Sequence, residues 1–239
     1  MRRVSTRTYV LVHGAWFGGW AWRDVAPALR AAGHVVTTPT LTGLGERGHL
    51  GGPDTSLSTH VADLVAHVTI EGLHDIHLVG WSYGGMVITG AMAEIADRVA
   101  SLVYLDAFVP DHGRSLVDYS AGPTRAALAE RGDAGSAPLP IRDPATFGVD
   151  DADILAYCAP RLRPQPVRCM TEPVHLPGGL PDHVRRSYVL CTRPESTSFR
   201  AAYEQCRADP RWHTAELATT HVCVLTDPAG TTQALLDAP

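Results

Sequence analysis

The stretch IHLVGWSYGGMVITGAMAEIA, residues 76–96, changes from one periodicity to another around a single serine. Residues 76–79 form a short apolar run typical of a buried strand, and residues 83–96 carry apolar side chains at helical spacing. Ser82 lies between them in the pattern Gly-x-Ser-x-Gly, which predicts a sharp turn from strand to helix. Such a turn pushes the serine hydroxyl out above the sheet, and the flanking glycines let the backbone approach closely. Ser82 is therefore a candidate nucleophile, the alternative being a glycine-rich turn that only closes a βα unit.

Strands and helices alternate on both sides of this turn. Strands are predicted at 7–13, 34–38, 76–79, 99–105, 187–191 and 213–217, and helices at 20–32, 58–70, 83–96, 196–207 and 227–236. This alternation predicts the α/β class, with a mostly parallel sheet covered by helices on both faces. Frequent prolines between about 110 and 183 break any long periodic segment and indicate a cap insertion with short helices. We expect residues 1–239 to form a single domain with this cap.

The composition excludes several kinds of function. All 20 basic residues are arginine, and with 25 acidic residues the net charge is −5, which is unfavourable for binding nucleic acid. A chain without lysine cannot form a lysine Schiff base or a P-loop. The five cysteines form no Cys-x-x-Cys pair, so neither a disulfide framework nor a structural zinc site is expected. No apolar run has the length of a signal peptide or membrane helix, so we expect a cytoplasmic protein without a membrane partner.

A serine nucleophile needs a base and an acid, which in this architecture follow it along the chain. His221 comes directly after the last predicted strand and is the candidate base. Asp106 ends the strand that follows the elbow helix, where a carboxylate lies in the crevice at the carboxyl edge of the sheet. Glu195, in the loop after the fifth predicted strand, is the alternative acid. We expect Asp106, rather than Glu195, to lie within hydrogen-bond reach of the His221 ring.

Two backbone N–H groups are candidates for an oxyanion hole. One belongs to the segment HGAW, residues 13–16, which ends the first predicted strand, and the other to Tyr83, which follows the serine. The alternative for residues 13–16 is an ordinary glycine turn at the end of a strand. The aromatic side chains Trp16, Trp20 and Trp81 are predicted to form an apolar wall together with the cap. Such a wall favours a hydrophobic or aromatic small molecule over a sugar or nucleotide.

A second glycine pattern, GLGERG at residues 43–48, matches the dinucleotide fingerprint Gly-x-Gly-x-x-Gly. Its context does not fit, because the third glycine should open a helix and here leads into HLGGP at residues 49–53. We therefore expect no nucleotide cofactor, and no metal either, since the histidines show no ligand spacing.

Several longer segments together resemble the α/β-hydrolase superfamily. Within it the chain is most similar to plant methyl-salicylate-type esterases and hydroxynitrile lyases and their EstC-like bacterial relatives. The segments are YVLVHGAW (9–16), GGWAW (18–22), AGH (32–34), TLTGLGER (40–47), GWSYGGM (80–86), YLDAFVP (104–110) and RADPRW (207–212). The resemblance implies Ser82 as nucleophile, His221 as base, oxyanion donors at Ala15 and Tyr83, and a cap over the pocket. It implies no cofactor.

The chain also departs from these relatives. The acid of the plant esterases would fall on Pro194, which cannot orient an imidazole. Other superfamily members carry the acid after the elbow helix, which favours Asp106 over Glu195. Trp81 replaces the usual histidine before the nucleophile, and the usual Gly-His-Asp around the base reads Thr-His-Val at His221. Both changes fall near the expected pocket.

Three functions are consistent with these residues. The first is cleavage of a carboxylic ester of a small hydrophobic metabolite by a cofactor-free serine esterase. The second is elimination, dehydration or cyclisation, as in relatives that tailor secondary metabolites, with Ser82 and His221 as a proton shuttle. The hydroxynitrile lyases of the family use a lysine that this chain lacks. The third is non-catalytic binding of a small ligand.

Overall fold

The computed structural model describes residues 6–120, 125–126, 128, 137–194 and 196–239. Six parallel strands form one sheet in the order β2-β1-β3-β4-β5-β6. They are β1 (Thr8–Val12), β2 (Val35–Thr37), β3 (Ile76–Trp81), β4 (Val99–Leu105), β5 (Arg185–Cys191) and β6 (Trp212–Leu217). The central strand β3 is buried along its whole length, as expected for a sheet covered on both faces.

Helices and short turns connect the strands. The helices are α1 (Val25–Ala31), α2 (Leu57–Ile70), α3 (Gly84–Ile95), α4 (Leu116–Tyr119), α5 (Ala152–Cys158), α6 (Arg168–Thr171), α7 (Thr197–Ala208), α8 (Cys223–Thr226) and α9 (Pro228–Asp237). Short 3-10 helices lie at Gly19–Trp22, Gly45–Leu50, Ala96–Arg98 and Pro144–Phe147. No helix in the described ranges has the length and apolar character needed to cross a bilayer.

Two hydrophobic cores lie on opposite faces of the sheet, because successive strand residues point to opposite sides. In β1, Val10 and Val12 belong to the core that includes α2, α3 and α7, whereas Tyr9 and Leu11 belong to the core that includes α1 and α9. The predicted α/β class, with helices on both faces of a parallel sheet, is confirmed.

The helix predicted at 20–32 is divided, which corrects its expected bounds. A 3-10 turn at Gly19–Trp22 precedes α1, which begins only at Val25. Pro27 gives the reason, since proline lacks an N–H and its ring clashes with the carbonyl four residues earlier in a continuing helix. Proline is tolerated in the first turn of a helix, and Pro27 lies in the first turn of α1.

The long connection from β4 to β5 contains the predicted cap, 110–183. Its described residues include α4, α5 and α6, and a two-residue antiparallel bridge joins Leu139 to Gln165. All six strands are parallel. From β1 the chain passes to β2 on one side, and it then returns to β3 on the other side of β1 and continues to β4. Such a reversal of strand order opens a crevice at the carboxyl edge of the sheet. The cap borders this crevice.

Candidate active site

Ser82 lies on a strained turn between β3 and α3. Its φ is +56°, a left-handed conformation that is costly for a residue with a side chain. A Cβ on Gly80 would come within 2.7 Å of the Gly84 carbonyl oxygen, and a Cβ on Gly84 within 2.7 Å of the Val12 carbonyl oxygen. Both glycines are therefore needed for the helix to start this close to the strands, as the motif predicts.

A chain of hydrogen bonds runs from Ser82 through His221 to Asp106. His221 Nε2 lies 2.9 Å from Ser82 Oγ, and His221 Nδ1 lies 2.6 Å from Asp106 Oδ2. The other carboxylate oxygen, Asp106 Oδ1, accepts the backbone N–H of Cys191 at 3.0 Å. Since an ionised carboxylate only accepts, the proton of a neutral His221 ring is on Nδ1, and Nε2 is free to accept from the serine hydroxyl.

Asp106 is in the place that the sequence predicts for the acid. It directly follows β4 and is 2% exposed, with a φ of +43° that turns its carboxylate toward the ring. Glu195, the alternative acid, lies outside the described residues.

Aromatic side chains enclose the His221 ring. Phe199, in α7, stacks on it with ring centres 4.9 Å apart and an angle of 14° between the planes. Phe147 lies 5.1 Å away at a tilt. The Trp81 indole N–H donates to the backbone carbonyl of His221 at 2.8 Å, so the loop that carries the histidine is anchored to β3.

The N–H of Ala15 is oriented by its peptide unit. The Gly14 carbonyl of that unit is 2.8 Å from His13 Nδ1, and His13 Nε2 accepts the Leu41 N–H at 3.1 Å. The proton of the His13 ring is therefore on Nδ1 and is donated to the Gly14 carbonyl. Burial lowers the pKa of His13 to about 4, so the ring is neutral at pH 7. In a trans peptide the N–H points opposite to the carbonyl, away from His13.

Tyr83 is held in a similar way. The carbonyl of its peptide unit, on Ser82, accepts N–H groups from Gly85 at 3.1 Å and Phe108 at 3.3 Å. The Tyr83 hydroxyl lies 2.9 Å from Nδ1 of buried His60. Within the described ranges, neither the Ala15 nor the Tyr83 N–H has a protein acceptor, and both residues line the same cavity as Ser82. The two N–H groups predicted for an oxyanion hole are thus available to a ligand.

A cavity of about 760 Å³ opens over Ser82 and His221. Its walls come from the loops after β1, β3 and β4, from the cap, and from the start of α7. Among its lining residues are the apolar side chains Trp16, Phe108, Leu116, Leu139, Phe147, Met170 and Phe199. Arg142 supplies the cationic side chain of this lining, and its guanidinium lies 4.5 Å from the ring centre of Phe147.

Of the three tryptophans predicted to form an apolar wall, Trp16 lines the cavity, whereas Trp20 and Trp81 lie outside its lining. Trp81 is 1% exposed and packs edge-on against Phe17 in the core. Trp20 packs against Phe17 and Tyr157. The cause is local: Trp81 is the last residue of β3, and the side chain there points into the core that contains α1. Nearly half of the lining residues come from the cap, for which the sequence offers no periodic signal.

The described ranges contain neither a metal-binding group nor a disulfide bond. No group of three His, Cys, Asp or Glu side chains in those ranges could hold a metal ion, and the five cysteines are buried and unbridged. The glycine pattern at 43–48 runs into the 3-10 turn Gly45–Leu50, and α2 starts only at Leu57, so the helix that a dinucleotide fingerprint requires is missing there.

Comparisons with known proteins agree with this fold. The chain is 40% identical over 225 residues to a carbendazim hydrolyzing esterase from Nocardioides sp. (strain SG-4G), covering 89% of this chain and 91% of that protein. It is 36% identical over 112 residues to salicylic acid-binding protein 2 from Nicotiana tabacum, covering 46% and 43%. A solved extracellular alpha/beta-hydrolase from a Paenibacillus species superposes with a TM-score of 0.79 at 22% identity, covering 97% of this chain and 98% of the other, and shows the shared fold.

The sequence pattern of the alpha/beta hydrolase family matches residues 9–234, nearly the whole chain. The predicted resemblance to bacterial and plant esterases is confirmed by the esterase relatives. The chain belongs to the alpha/beta hydrolase family and is an esterase-type hydrolase.

Proposed function

We propose that this protein cleaves a carboxylic ester of a small, hydrophobic molecule through an acyl-enzyme on Ser82. The observation that carries the proposal is the unbroken hydrogen-bond chain from Ser82 through His221 to Asp106, open to an apolar cavity. The N–H groups of Ala15 and Tyr83, which have no acceptor among the described residues, border the same cavity. This arrangement supports the roles of nucleophile, base, orienting acid and oxyanion donors that the proposal gives to these groups.

In the acylation step, His221 Nε2 takes the proton of Ser82 while Oγ attacks the ester carbon. The electron pair of the carbonyl moves to its oxygen, which the N–H groups of Ala15 and Tyr83 stabilise. His221 then gives its proton to the departing alkoxide, and the alcohol leaves. Asp106 holds the ring in the tautomer that can accept from serine and stabilises the imidazolium.

In the deacylation step, a water molecule gives a proton to His221 Nε2 and attacks the acyl carbon. The same oxyanion donors stabilise the second tetrahedral intermediate. Its collapse breaks the bond to Ser82 Oγ, which recovers its proton from His221. The acid product carries one oxygen from water, and no cofactor takes part in either step.

The lining of the cavity supports the proposed substrate class. Its aromatic and aliphatic side chains favour an uncharged, largely apolar ester, and its volume exceeds the size of the smallest methyl esters. Carbendazim, the compound for which the Nocardioides relative is named, is a direct choice for a first substrate. p-Nitrophenyl esters of increasing acyl length form the second set.

The test combines a variant with labelled water. Wild-type protein in oxygen-18 water should release p-nitrophenol and an acid with one labelled oxygen, and Ser82→Ala should lose this activity. Product formed without incorporation of the label would support elimination or cyclisation instead. Tight binding of esters without turnover and without labelling of Ser82 by a fluorophosphonate would support a binding protein. Either result would contradict the proposal.

A further inference from the structure

The backbone of Trp16 is held by the cap rather than by the sheet. Its N–H donates to the side-chain oxygen of Gln165 at 3.0 Å, and its carbonyl accepts the N–H of Arg163 at 3.0 Å. The indole N–H donates to the Pro140 carbonyl at 3.0 Å. All three hydrogen-bonding groups of Trp16 are therefore bound to cap residues.

Trp16 needs this support because its φ is +67°, a left-handed conformation that a bulky side chain rarely adopts. Such a conformation persists only where surrounding contacts determine it. Gln165 is itself fixed, since it is fully buried and its backbone pairs with Leu139 in both directions, at 2.7 and 3.0 Å.

The orientation of the Gln165 amide is set by Trp16. The backbone N–H requires an oxygen as partner, so Oε1 faces Trp16 and the NH₂ group faces away. Nε2 is buried beside the thiol of Cys169, a weak sulfur acceptor, and has no nitrogen or oxygen acceptor among the described residues. Because a thiol is a weak acceptor, the bond from the Trp16 N–H to Oε1 is the strong hydrogen bond of this side chain.

We propose that Gln165 is a positioning residue for the oxyanion hole, acting through Trp16 on the N–H of Ala15. Ala15 lies between two fixed peptide units. His13 holds the unit before it through the Gly14 carbonyl, and Gln165 holds the unit after it through the Trp16 N–H. With both units fixed, the Ala15 N–H keeps its direction toward the cavity. A Cβ on Gly14 would lie 3.1 Å from Ser82 Cβ, so this loop passes directly beside the nucleophile.

This inference rests on the proposed ester hydrolysis and adds that the cap is part of the catalytic apparatus as well as a wall of the cavity. Leu139 and Pro140, which bind Gln165 and Trp16, also line the cavity. The same short cap segment therefore contacts the substrate space and holds the oxyanion loop.

The test replaces Gln165 by methionine, which has similar volume and no acceptor oxygen. For a p-nitrophenyl ester we expect kcat to fall about 10- to 100-fold with KM within about twofold, since losing one oxyanion donor outright costs about 10²–10³ in kcat. Gln165→Glu keeps an acceptor oxygen and should restore most of kcat. Gln205→Met, the same change at an exposed position of α7, should leave both constants within about twofold of wild type.

A pair of ketones separates positioning from general damage. Ser82 gives its proton to His221 Nε2 and its Oγ bonds to the carbonyl carbon of trifluoroacetophenone, while the carbonyl electron pair moves to the oxygen as an oxyanion. Acetophenone binds without this addition. We expect Gln165→Met to raise the inhibition constant of trifluoroacetophenone about 10- to 100-fold and that of acetophenone less than about twofold. Equal weakening of both ketones, or an unchanged kcat, would overturn the inference.

Wild-type protein provides a measurement that needs no variant. The Trp16 amide should exchange slowly with deuterium because it is bound to buried Gln165, and fast exchange would contradict the proposed contact. If wild-type protein neither hydrolyses esters nor reacts with trifluoroacetophenone, the proposed function itself is wrong. If it does both and Gln165→Met behaves as wild type, only the role of Gln165 is wrong.

Discussion

At the scale of single residues, backbone strain is concentrated around the candidate site. The described non-glycine residues with positive φ are Trp16, Asp75, Ser82 and Asp106, and three of these four belong to the site. Each such conformation costs about 1–3 kcal/mol and aims a functional group only if other contacts hold it. Ser82 donates its N–H to the Leu105 carbonyl at 3.2 Å, which ties the nucleophile to the end of β4.

Asp106→Asn tests the tautomer of His221. The Cys191 N–H requires an oxygen acceptor, so the asparagine would turn its NH₂ group toward His221 Nδ1. The ring proton would then move to Nε2, which could no longer accept from Ser82. We expect kcat for an aryl ester to fall about 10³- to 10⁴-fold with the melting temperature little changed.

Glu195→Gln is the matched control for that change, and it should keep kcat within about twofold. The opposite pattern, a severe loss in Glu195→Gln and a mild one in Asp106→Asn, would assign the acid to Glu195.

Trp81→Phe tests the corrected position of this side chain. The change removes the hydrogen bond to the His221 carbonyl and leaves an aromatic ring beside Phe17. We expect kcat to fall several-fold while the preference among p-nitrophenyl esters of different acyl length stays the same, because Trp81 lies outside the cavity lining. A changed acyl-length preference would show that Trp81 does contact the substrate.

The residues of the hydrogen-bond chain could be predicted because each has a signal in the sequence. Ser82 lies in a motif between a strand and a helix, and Asp106 and His221 follow strands. Trp81 and Trp20 could not be placed, because aromatic character does not reveal which face of an element a side chain occupies. Gln165 has no signal, since its contact with Trp16 joins segments 149 residues apart.

At the scale of secondary structure, the close approach of α3 to β1 positions the nucleophile. An Ala side chain at Gly84 would meet backbone carbonyl oxygens of Val12 at 2.7 Å and His13 at 3.1 Å, which cannot rotate away. Alanine gains up to about 1 kcal/mol of helix propensity over glycine, but such overpacking costs about 1–3 kcal/mol. The steric cost should therefore exceed the gain in helix propensity, and the substitution should destabilise the fold.

We thus expect Gly84→Ala to lower the free energy of unfolding in urea and to reduce kcat by displacing the loop that carries Ala15. Gly178→Ala, at a position where a Cβ meets no atom within 4 Å, should change stability by less than about 0.5 kcal/mol. Equal stability of the two variants would contradict a tight β1–α3 contact.

The elements themselves were predictable to different degrees. The strands and long helices carry periodic apolar residues, and their predicted positions agree with the structure apart from the division before α1. In the cap, the helices are only four to seven residues long, and prolines interrupt the pattern. Which cap side chains line the cavity is decided by packing between distant segments, which a single sequence does not reveal.

At the scale of the whole molecule, buried neutral histidines couple stability to pH. Burial lowers the pKa of His13 and of His60 to about 4, from an ordinary value of 6.5. Below pH 6.5 the unfolded chain binds protons at these residues that the folded protein does not, so unfolding is favoured as the pH falls. Their contribution is complete above about pH 6.5 and is lost progressively down to about pH 4, by on the order of 3 kcal/mol for each histidine.

Urea unfolding at several values between pH 7 and pH 5 measures this dependence. The free energy of unfolding should decrease steadily over that range, and His60→Gln should show a shallower decrease, because it removes one of the buried histidines with a lowered pKa, which also include His13 and His77. A flat profile in the wild-type protein would mean that these histidines are accessible to protons in the folded state.

The proposed function of the whole molecule depends on a covalent acyl group on Ser82. Rapid-quench mass spectrometry of the intact protein during turnover of p-nitrophenyl acetate detects this group. We expect one acetyl group per chain in the burst phase, located on the peptide that contains Ser82, and no adduct in Ser82→Ala. Steady turnover without an adduct in wild-type protein, or an undiminished rate in Ser82→Ala, would contradict the acyl-enzyme mechanism.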